Sequence, residues 1–211
     1  MTDAAVAGLY AIADVAQLEP GRLLDAVAQA IDGGATIVQY RDKSPPGHSR
    51  REQQAAELAQ LCKRHGVPLI VNDDVELAYT IAAAGVHLGR EDLPLVQARQ
   101  RLGSRALVGI SCYNQLERAL RAVAEGADYV AFGSFYPSAT KPTAQRASLE
   151  LLREARQRLR IPIVAIGGIT PENGGALVAA GADALAVIQG LFAQEDVRAA
   201  ARRYAALFAP A

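Results

Sequence analysis

Polar side chains follow most of the short apolar runs of the chain, and their types suit the binding of anions and of a hard metal ion. Gln39, Arg41 and Lys43 alternate at the end of one run, so all three project to one side if the extended geometry persists. Arginine can donate to two phosphate oxygens through its planar fork, and lysine acts as a point charge. The motif is a candidate phosphate site; the alternative is an ordinary strand end with an arginine–aspartate pair.

Oxygen ligands follow the next two apolar runs. Asn72, Asp73 and Asp74 come directly after one of them, and Asp92 lies shortly beyond the other. One or two carboxylates, completed by phosphate oxygens and water, commonly hold Mg²⁺. Aspartate is also a favoured helix N-cap, so Asp73 or Asp74 could instead begin a helix near residue 75. Both roles can hold together, with one aspartate capping and the other binding metal.

Glycine-containing segments follow the last two apolar runs. Gly167-Gly168 and Ile188-Gln189-Gly190 stand where backbone N–H groups and a short helix could bind a phosphate. Before them, residues 135–144 contain Ser138-Ala139-Thr140-Lys141 between two prolines, which predicts a binding loop or lid. A plain surface loop is the alternative.

No protein nucleophile is evident. His87 lies within an apolar run and is predicted to be a hydrogen-bonded interior residue, while Cys62 and Cys112 are predicted to be buried fillers in a reducing compartment. No Ser/His/Asp order or Cys/His pair occurs, which argues against covalent hydrolysis. Cations, carboxylates and two phosphate sites without a nucleophile indicate chemistry on a pyrophosphorylated substrate and a second, phosphorylated one.

Strand-length apolar runs alternate with segments of helical period, and these elements must position the polar groups. Continuous Val/Ile/Leu-rich runs are typical of parallel strands that are buried on both faces. Eight such units predict an α/β fold, a single-domain (β/α)8 TIM barrel over residues 1–211, in which the carboxyl ends of all strands meet at one rim. Strands are predicted at about 7–12, 35–40, 68–72, 85–88, 106–110, 128–132, 161–166 and 183–188, and helices at about 21–33, 49–65, 75–84, 94–102, 115–125, 148–160, 171–180 and 191–208.

A repeated glycine-containing motif favours the barrel over an open doubly wound sheet. Gly34-Ala35-Thr36, Gly85-Val86-His87, Gly126-Ala127-Asp128 and Gly181-Ala182-Asp183 each follow a helical pattern and open an even-numbered strand. Glycine just past a helix end supplies a left-handed cap residue before the chain enters the sheet. An open sheet would predict fewer units and no such recurrence.

Charge and hydropathy narrow the classes of partner. The 22 Lys and Arg residues balance 22 Asp and Glu residues, so nothing overall favours nucleic acid or a membrane surface. Residues 1–8 do not resemble a signal peptide, and no apolar stretch approaches the ~20 residues of a membrane helix. A cytoplasmic protein that acts on small molecules is expected, and its oligomeric state is not readable from the sequence.

Taken in register, these motifs resemble the thiamine phosphate synthase family over nearly the whole chain, from Tyr10 to about Phe192. The motifs that carry the resemblance are Gln39-x-Arg41-x-Lys43, Asn72-Asp73-Asp74, Gly85-Val86-His87-Leu88-Gly89 with Glu91-Asp92, Gly109-Ile110-Ser111, Ser138-x-Thr140-Lys141 and Gly167-Gly168-Ile169.

The resemblance implies a transferase of thiamine biosynthesis. It would join 4-amino-5-hydroxymethyl-2-methylpyrimidine diphosphate to 4-methyl-5-(2-phosphoethyl)thiazole, releasing pyrophosphate through a dissociative pyrimidine-cation mechanism. The resemblance also implies one Mg²⁺ per active site, held by Asp73 and Asp92, and catalytic roles for Arg41, Lys43, Ser111 and Lys141. The substrate-binding residues that it implies are Gln39, Tyr40, Arg41, Asp42, Lys43, Asn72, Ser111 and Lys141 for the pyrimidine diphosphate, and Ser138, Ala139, Thr140, Gly168, Ile188 and Gln189 for the thiazole phosphate.

Three positions depart from the family pattern without removing an essential group: Ser138 stands where threonine is frequent, Gln189 where serine is, and Arg90 where glutamine is. One alternative is a thiazole tautomerase-like isomerase, which is expected to use a histidine near the fifth strand, where Cys112-Tyr113-Asn114 stands here. The other is a non-catalytic barrel that binds thiamine precursors.

Overall fold

The computed structural model describes residues 6–19, 21–43, 49–137 and 145–209, which form alternating strands and helices. The strands are β1 (Gly8–Asp14), β2 (Ala35–Arg41), β3 (Leu69–Asn72), β4 (Gly85–Leu88), β5 (Leu107–Tyr113), β6 (Tyr129–Gly133), β7 (Ile163–Ile166) and β8 (Ala184–Val187). The helices are α1 (Leu23–Asp32), α2 (Ser49–Arg64), α3 (Val75–Thr80), α4 (Leu95–Leu102), α5 (Leu116–Ala124), α6 (Leu149–Arg158), α7 (Pro171–Ala179), α8 (Gln189–Phe192) and α9 (Val197–Ala205), with short 3-10 helices at Val15–Gln17 and Ala206–Phe208.

The eight strands close into a barrel in sequence order, and every neighbouring pair is parallel. The predicted (β/α)8 barrel is therefore confirmed. Its register brings strand ends together at one rim: Asp14 of β1 lies beside Arg41 of β2, and Asn72 of β3 lies beside His87 of β4. Polar residues distant in sequence thus become neighbours at the carboxyl edge.

Two apolar cores explain why the strand sequences do not alternate. One core packs strands against helices, as Leu9 and Ala11 of β1 do with Val27 of α1. The other draws its buried residues from strands and strand edges and from no helix, which identifies it as the barrel interior; Tyr10 and Tyr129 belong to it. Because both faces of each strand are buried, both faces are apolar.

The C-terminal segment forms two helices, whereas a single helix was predicted over residues 191–208. Helix α8 stops at Phe192, and α9 starts at Val197. The reason is local, since the Asp196 side chain accepts a hydrogen bond from the Ala199 N–H at 2.8 Å and so caps a new helix. No helix in the described part of the chain is long and apolar enough to cross a membrane.

The repeated Gly-Ala-Asp motif has a structural role at the opposite edge of the barrel. Asp128 accepts hydrogen bonds from the Val108 N–H at 2.7 Å and from Arg99 at 2.5 Å. It thereby joins the start of β5, helix α4 and the start of β6. The same arrangement recurs at Asp183, two strands further on.

Replacing Asp183 by alanine is expected to destabilise the barrel by about 2 kcal/mol, because hydrogen bonds to a charged group contribute about 1.5–3 kcal/mol. The change removes the acceptor for the Ile163 N–H (2.7 Å) and for Arg156 (2.9 Å). Urea unfolding measures the effect as a lower midpoint. Glu195→Ala, at an exposed position, is the control, and an Asp183→Ala midpoint equal to that of the control would contradict this role.

Candidate active site

Two carboxylates from neighbouring strand ends meet at the rim. Asp73 has a left-handed backbone (φ 65°), a conformation that aspartate tolerates better than most residues, and its N–H donates to the His87 carbonyl at 2.9 Å. Its carboxylate accepts from the Asn72 amide at 2.7 Å, while the Asp92 carboxylate accepts from the Gly89 N–H at 2.6 Å. The carboxyl groups of Asp73 and Asp92 lie within hydrogen-bond reach of each other.

The electrostatic environment of this pair suits a cation site. Burial raises the pKa of the Asp73 carboxyl, but hydrogen bonds with Lys43 and Asp92 outweigh burial and leave that pKa below its usual value. Burial, and next the hydrogen bond with Asp73, raise the pKa of Asp92. Two carboxylates this close repel each other, and a bound cation would offset that repulsion. The donor set therefore fits Mg²⁺.

The residues that the structure describes contain no group of three or more His, Cys, Asp and Glu side chains placed to hold one ion. Phosphate oxygens and water commonly complete a two-carboxylate Mg²⁺ site.

Asp74 has the capping role that the sequence left open between two aspartates. Its carboxylate accepts from the Leu77 N–H at 2.9 Å and so begins helix α3. It also pairs with Arg51 at 2.8 Å. The two adjacent aspartates therefore divide their roles, with Asp74 on the helix and Asp73 facing Asp92.

Two of the three predicted phosphate cations, Arg41 and Lys43, are held by acidic partners. Lys43 pairs with Asp73, and Arg41 pairs with Asp14 at 2.5 Å. Asp14 is only 2% exposed and also accepts from the Gln17 amide at 3.1 Å. A buried carboxylate therefore fixes the direction of the Arg41 guanidinium at the rim. The sequence patterns did not single out Asp14, although Asp14 ends β1 just as the predicted residues end other strands.

Tyr40 and Asp42 contact each other. The Tyr40 side chain belongs to the core between strands and helices, and its hydroxyl lies 3.1 Å from the Asp42 carboxylate and 3.3 Å from the Arg51 carbonyl. The Tyr40 side chain is thus buried, and its hydroxyl has partners within the protein. A substrate contact for either side chain stays a prediction.

Ser111 lies on β5, beside His87 of β4. Its Oγ is 2.9 Å from His87 Nε2, so His87 is the hydrogen-bonded interior residue that the sequence predicted. Arg118 of α5 donates to the carbonyls of Ser111 (2.7 Å) and Gly89 (3.0 Å). Arg118 thereby links the strand end that carries Ser111 to the turn that carries Asp92. Its helical position gave no sequence signal of this role.

Gly168 faces the stem of the loop after β6. Its φ is 62°, and a Cβ there would stand 2.2 Å from the Pro137 carbonyl oxygen, so no other residue fits. The stem is also bonded to the end of β7, since Tyr136 N–H donates to the Gly167 carbonyl at 3.0 Å. The predicted ligands Ser138, Ala139, Thr140 and Lys141 lie outside the described residues.

A small cleft lies where β8 ends. The predicted residues Ile188 and Gln189 line it at the start of α8, and Asp14 and Gln17 line it from the β1 side. The end of β8 therefore lies across this cleft from Asp14, the buried partner of Arg41. The predicted residues of the carboxylate side and of the β8 side lie on one rim.

Several known proteins are similar to this chain over most of its length. A family model described as thiamine monophosphate synthase matches residues 9–191. The thiamine-phosphate synthase of Nitrosococcus oceani is 55% identical over 199 residues, which are 94% of this chain and 91% of that protein. The thiamine-phosphate synthase of Methylococcus capsulatus is 55% identical over 201 residues, covering 95% of this chain and 89% of that protein.

A solved structure is also similar. The thiamine phosphate pyrophosphorylase of Pyrococcus furiosus superposes with a TM-score of 0.85 at 36% identity, covering 95% of this chain and 94% of that one. The family model and the relatives each span most of the sequence. The chain belongs to the thiamine monophosphate synthase family.

Proposed function

We propose that the protein is a thiamine-phosphate synthase, which joins the pyrimidine diphosphate to the thiazole phosphate and releases pyrophosphate. The observation that carries the proposal is the carboxylate pair Asp73 and Asp92, flanked by Lys43 and by Arg41 on its buried aspartate. The whole chain, residues 1–211, acts as one catalytic domain in the cytoplasm.

The diphosphate is held on the carboxylate side of the rim. Asp73 and Asp92 would hold one Mg²⁺, which when bound supplies positive charge next to the diphosphate. Arg41 offers its guanidinium fork to phosphate oxygens, and Lys43, which pairs with Asp73, lies beside them. Lys141 is proposed for the same group from the family resemblance. These groups stabilise negative charge where it develops as the leaving group departs.

The chemical step is a substitution at the methylene carbon of the pyrimidine. The C–O bond breaks, its electron pair goes to pyrophosphate, and the resulting cation is delocalised into the aminopyrimidine ring. The thiazole nitrogen then forms the new C–N bond with its lone pair. That nitrogen carries no proton, so no general base is required, and positioning replaces a protein nucleophile.

The thiazole phosphate is held on the other side of the rim. Gly168 and the Ile188–Gln189 segment contribute backbone and side-chain donors, together with Ser138, Ala139 and Thr140 of the loop. The proposal is supported by the close packing of Gly168 on the loop stem and by the cleft at Gln189. The two anions are thereby held apart across one rim.

A turnover assay tests the proposal. Purified protein with both substrates and Mg²⁺ should release pyrophosphate and form thiamine phosphate in equal amounts, and omission of either substrate or of Mg²⁺ should stop both products. A thiazole tautomerase-like isomerase would convert a thiazole carboxylate phosphate without the pyrimidine substrate. A binding barrel would retain both precursors without turnover, and either outcome would refute the proposed synthase.

Replacing Asp14 by asparagine is expected to lower kcat about tenfold and to change the KM for the pyrimidine diphosphate only a few-fold. Asparagine keeps the volume and a hydrogen-bond acceptor but loses the charge that orients Arg41. In substrate binding, a misplaced Arg41 weakens the contact with the diphosphate, but the loss of the nearby negative charge of Asp14 offsets that effect, so KM changes little. The chemical step depends on the position of Arg41 and has no such compensation, so kcat falls. Steady-state kinetics measure both constants. The control is Asp25→Asn on the exposed face of α1, and matching constants for the two variants would contradict the role of Asp14.

A further inference from the structure

A continuous row of hydrogen bonds crosses the barrel interior between two predicted substrate ligands. It begins at the Gln39 amide nitrogen, 2.9 Å from the Tyr10 hydroxyl, which lies 2.9 Å from the Tyr129 hydroxyl. Tyr129 is 3.1 Å from His87 Nδ1, and His87 Nε2 is 2.9 Å from Ser111 Oγ. The row therefore connects Gln39 on β2 with Ser111 on β5 through three residues to which no role in the reaction has been given.

The interior is shaped around this row. Tyr10 is 1% exposed and Tyr129 is fully buried, and the Tyr129 ring stacks on the His87 ring with centroids 5.6 Å apart. A Cβ at Gly109 would stand 2.0 Å from Tyr129 Cζ, so glycine at this position leaves room for the ring. Buried polar groups are costly unless they are hydrogen-bonded, and an apolar interior would avoid that cost. The buried polar groups of this row are therefore hydrogen-bonded to one another, and the barrel interior has room for them.

Proton counting gives the row one direction. The Gln39 amide nitrogen can only donate, so the Tyr10 oxygen accepts and its single proton goes to Tyr129. The Tyr129 proton then goes to His87 Nδ1. His87 therefore carries its proton on Nε2 and donates to Ser111. Burial raises the pKa of both tyrosine hydroxyls, which keeps both protons in place.

The two ends of the row match the chemistry of an aminopyrimidine diphosphate. With its nitrogen turned to Tyr10, Gln39 has its carbonyl oxygen left to accept from an amino group. With its oxygen accepting from His87, Ser111 has its own proton left to donate, and a diphosphate offers only acceptors. Rotating the Gln39 amide would reverse every bond and leave Ser111 as an acceptor facing an anion. Substrate chemistry and the Gln39 amide orientation therefore favour the same direction.

We propose that Tyr10, Tyr129 and His87 are positioning residues that form a one-way hydrogen-bond chain, which sets Gln39 as an acceptor and Ser111 as a donor towards the pyrimidine diphosphate. This inference rests on the proposed function for the identity of the ligand. The direction of the hydrogen-bond chain depends on the protein alone and not on the ligand.

Kinetics on Tyr129→Phe test the coupling to Ser111. Phenylalanine keeps the ring but removes the hydroxyl, so His87 loses the donor that fixes its tautomer. We expect kcat/KM for the pyrimidine diphosphate to fall about ten- to hundredfold, with the KM for the thiazole phosphate within about twofold of normal. In a Ser111→Ala background, the further effect of Tyr129→Phe should be much smaller, because only the Gln39 end of the hydrogen-bond chain is then left to orient. Effects of the two changes that multiply would overturn the proposal.

The direction of the chain is tested without substrate on the unaltered protein. Nitrogen-15 NMR of labelled histidine distinguishes the two neutral tautomers and the imidazolium, and the His87→Gln variant assigns the His87 signals. We expect the neutral Nε2–H form. A neutral Nδ1–H form, or a ring protonated on both nitrogens, would overturn the one-way chain, whereas the turnover assay alone decides the proposed function.

Discussion

Replacing Asp92 by asparagine is expected to lower kcat about a thousandfold and to remove most of the dependence of turnover on Mg²⁺. Asparagine keeps the size and one acceptor for the Gly89 N–H, so the turn should persist. It loses the charge that the carboxylate pair presents to a cation. A metal ion contributes several kcal/mol of charge stabilisation in such a site, and each 1.36 kcal/mol is a factor of ten in rate. Initial rates over a Mg²⁺ titration measure the effect.

Asp74→Asn is a matched control, because Asp74 is the neighbour in sequence of Asp73, the second carboxylate of the proposed metal site. Asn is as good an N-cap as Asp, so helix α3 should still begin there, although the pair with Arg51 is weakened. We expect turnover and its Mg²⁺ dependence to stay near normal. Near-normal activity of Asp92→Asn, or a loss in Asp74→Asn as large as in Asp92→Asn, would contradict the assigned division of roles.

Replacing Arg41 by lysine is expected to lower kcat/KM for the pyrimidine diphosphate by about a hundredfold. Lysine keeps a positive charge for the buried Asp14, so the fold should persist, but it loses the planar fork that can bond Asp14 and phosphate oxygens together. Truncating one side of a buried charged hydrogen bond costs about 2–5 kcal/mol, and the retained charge places the expected loss in the lower part of that range. Steady-state kinetics with each substrate varied separately measure it.

Arg22→Lys, at an exposed position before α1, serves as the control for Arg41→Lys. The KM for the thiazole phosphate should change little in the Arg41 variant, because Arg41 is assigned to the other anion. An effect confined to the thiazole phosphate would instead place Arg41 in the second anion site.

Most of the barrel was predictable because its strands and helices have clear local signals. Eight apolar runs and their intervening helical patterns gave the order and approximate bounds of every strand. The split of the last helix was missed because its cause, the Asp196 cap, is a single side-chain hydrogen bond within an otherwise continuous helical pattern. Local capping decided that boundary.

The site was predictable where residues stand at strand ends and not where they act from elsewhere. Asp73 and Asp92 were expected to meet, and their carboxyl groups do lie within reach of each other. Tyr10 and Tyr129 gave no signal, because strands buried on both faces do not reveal which residues face the barrel interior. Arg118 acts from a helix through backbone carbonyls, a contact that no residue spacing encodes.

The central claim is that two anions are held apart across the rim, with the metal on the side of the diphosphate. A crystal grown with Mn²⁺ in place of Mg²⁺, together with pyrophosphate and thiazole phosphate, tests this most directly through the anomalous signal of the metal. We expect one Mn²⁺ bound by Asp73 and Asp92, with pyrophosphate against Arg41 and Lys43 and the thiazole phosphate at Gly168 and Gln189. A metal bound away from the two carboxylates, or pyrophosphate at Gly168 with the thiazole phosphate at Arg41, would contradict it.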